Sequence, residues 1–344
     1  MTLHLTTFQE KLCNVLQEGL PVCRQPFADI ATVLRSDESE VLRQISRLKE
    51  LGVIRRICAL INYRALGMAS TLVAAHVPPD SAKQVVETIN SLANVSHNYQ
   101  RNHYYNLWFT LRAQTAAQIE ATLAELSERF GVDFHSLKVV RTFKLDVRFD
   151  AQSQGRKLLH GSEKISPLSP RLSAGVPRPL AGANKPAPAE IDQDQKKIIA
   201  RLQDALEATA EPFAFLCSGG LQEEDVLRII TALIGKGVVR RIAAVVDHRK
   251  LGFVANVLFA CEVPQDRIVQ AGERLAHLPI VSHCYERQTF GGWPYNLFAM
   301  MHGQNMEQIE SAINKFTEAE AIYSFQLLPT EAELKKQPVK HEFD

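Results

Sequence analysis

The chain has 344 residues, enough for two to four domains, and its 46% hydrophobic and 22% charged residues are the balance of a protein that buries ordinary cores. A formal charge of +1 sets up no whole-protein field to gather nucleic acid or an anionic membrane surface. There is no apolar run of the roughly 18 residues a membrane helix needs and no basic-then-apolar leader, so a cytoplasmic protein is expected.

Six cysteines lie scattered at 13, 23, 58, 217, 261 and 284 without a Cys-x-x-Cys pair. That spacing argues against a zinc site, an iron–sulfur cluster or a disulfide framework, and they read mostly as small buried apolar residues.

In chain order, residues 5 to 51 have the spacing of three short helices. Leu5 to Leu16 is helical in period, Pro26 opens a second helix, and Ser36 or Asp37 caps a third with Val41, Leu42, Ile45 and Leu48 inward until Gly52 stops it. This is helix-turn-helix organisation, and Val53 to Ile57 is expected to be the first strand of a wing or connecting hairpin. A DNA reader should offer cations from the front of its third helix. The front here carries Asp37, Glu38 and Glu40, and the matching helix of the second copy begins Gln222-Glu223-Glu224-Asp225, so no DNA binding is expected.

From Ala69 the pattern changes. Ala69 to Val77 reads as a strand, Ser81 to Leu92 as a helix, Val95 to Arg101 and Tyr105 to Leu111 as strands, Ala116 to Phe130 as a helix and Val132 to Val140 as a strand. The order βαββαβ predicts a ferredoxin-like domain, with helices on one face of its sheet and an open face that must find a partner or ligand.

Residues 151–190 hold six prolines (167, 170, 177, 179, 186, 188) and no aromatic residue, the composition of a linker. Beyond it the plan repeats. Arg55-Arg56 returns as Arg240-Arg241 and Leu66-Gly67 as Leu251-Gly252, and the hairpin within Gln288 to Pro294 is longer in the second copy. The expected organisation is an α+β tandem repeat: helix-turn-helix domain 1–62, ferredoxin-like AsnC-type domain 63–150, linker 151–190, helix-turn-helix domain 191–247 and ferredoxin-like domain 248–344. Such a chain is a dimer tied into one polypeptide.

One composite motif is written twice. Residues 95–109 read VSHNYQRNHYYNLWF and residues 281–298 read VSHCYERQTFGGWPYNLF. On a strand, residues two apart share a face, so His97, Tyr99 and Arg101 line one side, as do His283, Tyr285 and Arg287. The opposite sides carry Ser96, Asn98 and Gln100, or Ser282, Cys284 and Glu286, and neither face looks like core. The expectation is a functional surface. His76, His135, His160 and His277 lack such company and are read as surface or packing residues.

A helix-turn-helix unit joined to a βαββαβ domain resembles the Lrp/AsnC family. Gly-Val-(Ile/Val)-Arg-Arg-Ile, Leu-Gly-(Met/Phe), Val-Ser-His-x-Tyr-x-Arg and Trp-Pro-Tyr-Asn-Leu-Phe-Ala-Met with His302-Gly303 narrow the resemblance to the siroheme decarboxylases of the alternative heme and heme d1 pathways. In those enzymes two Lrp-like subunits pair, and this chain looks like a fusion of the D and L partners. The resemblance implies a carboxy-lyase that turns two acetate side chains of siroheme into methyl groups, giving 12,18-didecarboxysiroheme. It implies no cofactor beyond the iron-containing substrate. The partners it implies are siroheme and its product, within an internal pseudo-dimer open to further homo-oligomers or paired decarboxylase subunits.

With that substrate in mind, Arg55, Arg56, Arg101, Arg240, Arg241 and Arg287 are expected to meet its eight carboxylates, since guanidinium suits paired carboxylate contacts. Trp293, Tyr105, Asn106, Tyr295 and Asn296 complete the expected binding set. His97 and His283, with Tyr99, Tyr285 and His103, are the expected catalytic groups, because loss of carbon dioxide demands a proton at carbon and imidazole titrates near neutrality. Either histidine could instead ligate the substrate's iron. Where the first copy has His103-Tyr104-Tyr105 the second has Trp293-Pro294-Tyr295, so the two pockets are expected to act unequally. The other readings are a transcription regulator sensing a tetrapyrrole or amino acid, and a heme carrier without catalysis.

Overall fold

A computed structural model describes residues 3–153, 158, 188–337 and 339. Most of the proline-rich linker, including His160, lies outside the described residues. The first helical unit comprises α1 (Thr7–Glu18), α2 (Pro26–Leu34) and α3 (Glu38–Glu50). Thr6 and Gln9 form a capping box on α1, Pro26 opens α2, and Asp37 caps α3 by accepting from the Glu40 N–H. β1 (Ile54–Ile61) follows, then β2 (Ala69–Ala75), α4 (Pro79–Ser91), β3 (Val95–Arg101), β4 (Leu107–Ala113), α5 (Ala116–Phe130) and β5 (Phe134–Leu145). The second copy runs α6 (Gln193–Leu202), α7 (Glu223–Gly235), β6 (Val239–Val246), β7 (Ala255–Cys261), α8 (Ile268–His277), β8 (Val281–Arg287), β9 (Leu297–Gly303), α9 (Met306–Ala319) and β10 (Phe325–Lys336).

The second helical unit departs from expectation. Where the first copy has α2, the second has only a 3-10 turn at Ala214–Leu216. The sequence there runs into Cys217-Ser218-Gly219-Gly220, and both glycines adopt positive φ (63° and 89°), which ends any helix before its second turn. The two helical units share one core, in which Leu12, Phe27 and Ile45 pack in continuity with Ile199, Phe213 and Ile230.

β1 is not the first strand of a hairpin within its own copy. It pairs antiparallel with β6, so the two Arg-Arg strands form an inter-copy ribbon, with Ile57 opposite Ala244 and Cys58 opposite Ala243. In the duplicated Leu-Gly motifs after each ribbon strand, Gly67 and Gly252 take φ of 81° and 88°, values a side chain at Cβ disfavours.

The eight remaining strands close into one barrel in the order β10-β3-β4-β2-β5-β8-β9-β7. Each half keeps the ferredoxin-like order, but its last strand is an arm. β5 starts beside β2 and continues along β8, while β10 starts beside β7 and continues along β3. This is why β5 runs on to Leu145, past the Val140 end that its period implies: its second half has the other copy to pair with. The open faces meet as expected, around Trp108, Leu137, Leu258, Trp293, Phe298 and Leu328.

The faces of β3 and β8 opposite the histidines are covered except at Gln100, which is exposed at the end of β3. Ser96, Asn98, Ser282, Cys284 and Glu286 are all buried. Asn98 reaches Asn90 of α4 at 3.0 Å, and Glu286 accepts from Gln265 at 3.1 Å. Polar residues are tolerated under the helices because most find hydrogen-bond partners there.

The cations of α3 and α7 are largely engaged by acids of the same helix: Arg43 by Glu40, Arg47 by Glu50 at 3.0 Å, and Arg228 by Asp225. We therefore expect no saturable, sequence-specific retention of duplex DNA at physiological salt. A gel-shift titration with competitor DNA checks this.

Candidate functional site

The doubled motif divides into two parts. Its Tyr-Asn-Leu half builds the barrel. Asn106 clamps Val77 through both backbone groups at 2.9 Å, and Asn296 clamps Val263 in the same way at 2.9 and 2.8 Å. Trp293 is 1% exposed and sits in the inter-sheet core, edge-on to Tyr105 at 5.7 Å and Tyr295 at 4.7 Å. His103 belongs to this cluster, 5.5 Å from Trp293, with its Nδ1 accepting from the Tyr105 N–H at 3.0 Å. His135 stacks on Phe290 at 4.0 Å and His76 on Tyr104 at 4.1 Å.

Arg101 and Arg287 fasten the exchanged arms. Arg101 is 3% exposed and donates to the Leu328 carbonyl and to Thr330 on β10. Arg287 donates to the Leu137 carbonyl on β5 at 2.8 Å. Each guanidinium also stands over the tyrosine two residues before it, at 5.3 Å for Tyr99 and 4.8 Å for Tyr285. Burial lowers both arginines to about 10, far above neutrality, so both stay charged.

The histidines lie toward the β1–β6 ribbon. His97 lies close enough to His283 that charge on the first imidazole acts on the second. Burial, reinforced by Lys336 and Arg112, pulls His97 down to about 4. Burial with Arg240 and His97 pulls His283 down to about 3. His248, whose ring lies 5.2 Å from that of His302, is lowered to about 4 by burial and Lys336. All three are neutral in the ligand-free chain near pH 7.

A folded pKa below the unfolded value of about 6.5 means that the unfolded chain binds more protons between the two. Stability is therefore full above about pH 6.5 and falls as pH drops toward 4. Thermal melts of the ligand-free protein from pH 7.5 to 4.5 should show a Tm declining through this window, and His97→Gln should flatten the decline.

The two half-sites are related by the duplication but differ in charge. At the first, Arg55 pairs with Asp247 at 2.9 Å and Lys336 with Glu333 at 3.0 Å, and Glu333 stands opposite Tyr99 on the ladder. At the second, Thr142 stands opposite Tyr285 in the place of Glu333, and Asn62, whose amide donates to Gly237, stands in the place of Asp247. Arg240, Arg64 and Arg112 gather around Tyr285 and make no ion pair among the described residues. Burial, opposed by Tyr285 and reinforced by Arg241, Arg64 and Arg112, lowers the Arg240 pKa. Arg64 donates to the Thr142 hydroxyl at 3.4 Å, and Arg112 lies over the Tyr63 ring at 4.4 Å.

Because neighbours on a strand point to opposite faces, the Arg-Arg pairs are split. Arg240 faces Tyr285, while Arg241 turns to Asp146 at 3.4 Å. Arg56 meets the Cys58 sulfur at 3.4 Å. Arg64, Arg112 and Tyr63 lie outside the expected site, and His302 was expected only as part of the second copy's motif, without a role. Arg64 had a signal, since Arg249 precedes Leu251-Gly252 as Arg64 precedes Leu66-Gly67. Arg112 had one too, as a charge in phase with Trp108 and Thr110 on an inward face.

Guanidiniums with no ion pair among the described residues, beside neutral imidazoles and a half-buried phenol, can take a flat polyanion and supply or accept a proton. Comparisons with known proteins agree in family. The AsnC-like ligand binding domain matches residues 65–144 and 250–335, and the siroheme decarboxylase NirDL-like HTH domain matches residues 9–55. A siroheme decarboxylase of Hydrogenobacter thermophilus is 32% identical over 335 residues, 96% of this chain and 94% of that one. The siroheme decarboxylase beta subunit of Methanosarcina barkeri is 35% identical over 151 residues, 44% of this chain but 99% of its own, so a single subunit there spans about one copy here. The crystal structure of the siroheme decarboxylase NirDL in co-complex with an iron-uroporphyrin III analogue superposes with a TM-score of 0.70 at 29% identity, covering 97% of this chain and 94% of that one. Among the described residues no helix is long and apolar enough to cross a membrane. With both copies of the ligand-binding unit in place and identity sustained over nearly the whole of both chains, this chain belongs to the siroheme decarboxylase family.

Proposed function

We propose that the chain decarboxylates siroheme to 12,18-didecarboxysiroheme, with the substrate held at the second half-site. The observation that carries the placement is the gathering of Arg240, Arg64 and Arg112 around Tyr285 with no carboxylate partner among the described residues, while at the first half-site Asp247 neutralises Arg55, the counterpart of Arg240, and Glu333 pairs with Lys336. Arg240 and Arg112 are half-buried without an ion pair among the described residues, which is costly, and a ligand carrying many carboxylates relieves that cost, with the exposed Arg64 beside them.

In each of two rounds the bond between the acetate methylene and its carboxylate breaks. The carboxylate leaves as carbon dioxide, the bonding pair stays on the methylene carbon, and one proton is taken up to complete the methyl group. His97 is the group assigned to give that proton. Its pKa is low in the ligand-free chain, and substrate carboxylates arriving nearby favour the imidazolium and raise it. The iron belongs to the substrate.

The test is anaerobic mixing of the purified chain with siroheme and mass analysis of the product. Loss of two carboxyl groups is expected. An unchanged pigment that stays bound would make the chain a carrier, and effector-dependent DNA retention would make it a regulator.

A further inference from the structure

The second-copy histidine differs from its counterpart in what stands behind it. Ser282 has no exposed surface, and its hydroxyl meets three groups: His283 Nδ1 at 2.8 Å, His302 Nε2 at 2.9 Å and the Met300 carbonyl at 3.2 Å. A hydroxyl has one proton to give and two lone pairs to offer, and a carbonyl only accepts. One arrangement of protons satisfies all three contacts: Ser282 donates to Met300 and both imidazoles donate to Ser282.

The two alternatives each leave a fault. Giving the hydroxyl proton to His302 moves that ring's hydrogen to Nδ1, which is buried without a partner, and an orphaned donor costs more than a bare acceptor. Giving it to His283 leaves the Ser282 and Met300 oxygens facing each other with no proton between them.

The first copy imposes no such choice. Ser96 meets His97 Nδ1 at 2.8 Å and Thr110 Oγ1 at 2.7 Å, and a second hydroxyl can give or take. Thr110 stands opposite His97 on the ladder where Met300 stands opposite His283. Arg112, beside Thr110's outer neighbour, takes the place that His302 holds in the second copy.

We propose that Ser282 and His302 are positioning residues that hold neutral His283 with its hydrogen on Nδ1, so that Nε2 presents a lone pair and His283 bonds the substrate's iron. The iron bond rests on the siroheme reading above, and the tautomer does not. A metal-binding imidazole needs one bare nitrogen and an acceptor behind the other. His283 Nδ1 is taken by Ser282, and its Nε2 makes no hydrogen bond among the described residues. His97, with no fixed tautomer, is left free to present an N–H to the reacting carbon. The duplicated histidines thus divide ligand and proton donor between them.

The tautomer is readable without substrate. In the ligand-free full chain labelled with 15N-histidine, the ring nitrogen shifts of His283, assigned by their loss in His283→Gln, should show a single Nδ1–H form, and those of His302 an Nε2–H form. His302→Leu releases the hydroxyl rotor and should bring in the second His283 tautomer, while His302→Gln, whose amide N–H still donates, should restore the wild-type pattern. With ferric uroporphyrin as probe, the absorption and electron paramagnetic resonance signature of histidine-bound iron should be present in wild type and His302→Gln and reduced in His302→Leu. A wild-type His283 carrying its hydrogen on Nε2 overturns the proposal whether or not any variant folds. A histidine-iron signature that survives in His283→Ala overturns the ligand assignment. A wild-type chain that leaves siroheme intact would sink the decarboxylase reading, while the tautomer measurement would stand.

Discussion

Arg240→Ala should weaken siroheme binding by roughly 30-fold or more, because removing a buried charge from a charge contact typically costs about 2–5 kcal/mol and each 1.4 kcal/mol is about tenfold. Its counterpart Arg55 is already paired with Asp247 in a partly exposed bridge. Such a pair contributes at most about 1 kcal/mol, so Arg55→Ala should change affinity by less than about fivefold. Absorbance titration of both variants measures the contrast. Equal losses at the two positions would mean that the charge difference between the half-sites does not direct binding. Arg101 and Arg287 form a useful control: their variants should lower thermal stability by loosening the exchanged arms, since each guanidinium bonds the backbone of the other copy's strand.

His97→Ala should keep the fold and bind siroheme while losing turnover by about 10²- to 10⁴-fold, the usual worth of a general acid. In the wild type the imidazolium must form in the complex, so single-turnover rates should fall as pH rises through the raised pKa of His97, and the variant should lack that limb. His283→Ala should instead alter the absorption spectrum of the bound pigment. Product masses separate this division of labour from one in which each histidine serves one acetate, since the latter would leave a monodecarboxylated product in both variants. Double decarboxylation at wild-type rate in His97→Ala removes the role assigned to it. The expected asymmetry no longer rests on His103, which the hairpin places against Tyr105 and Trp293 and not beside His97.

Two regions show why duplication in a sequence is an imperfect guide to chemistry. Repetition marks whatever both copies need, and folding needs count among them. Asn106 and Asn296 repeat because each clamps a strand end, and Trp293 is large because the sheets meet there. The residues that distinguish the half-sites are those that fail to repeat, such as Thr142 against Glu333 and Asn62 against Asp247, and a search for shared motifs passes over them.

The sequence by itself determined the element types apart from the second helix of the second copy, the tandem plan, the ferredoxin-like strand order and the family, because these follow from local period, caps and turn residues together with a motif long enough to be specific. It also put His97 and Tyr99, or His283 and Tyr285, on one strand face, which alternation alone dictates. Only the tertiary structure decided that β5 and β10 cross into the other copy, that β1 pairs with β6, and that Arg240, Arg64 and Arg112 gather at one tyrosine. Those facts depend on contacts between residues far apart in the chain. No local period encodes whether a strand's edge is met by its own copy or the other, or whether a carboxylate stands across the ladder from a given arginine.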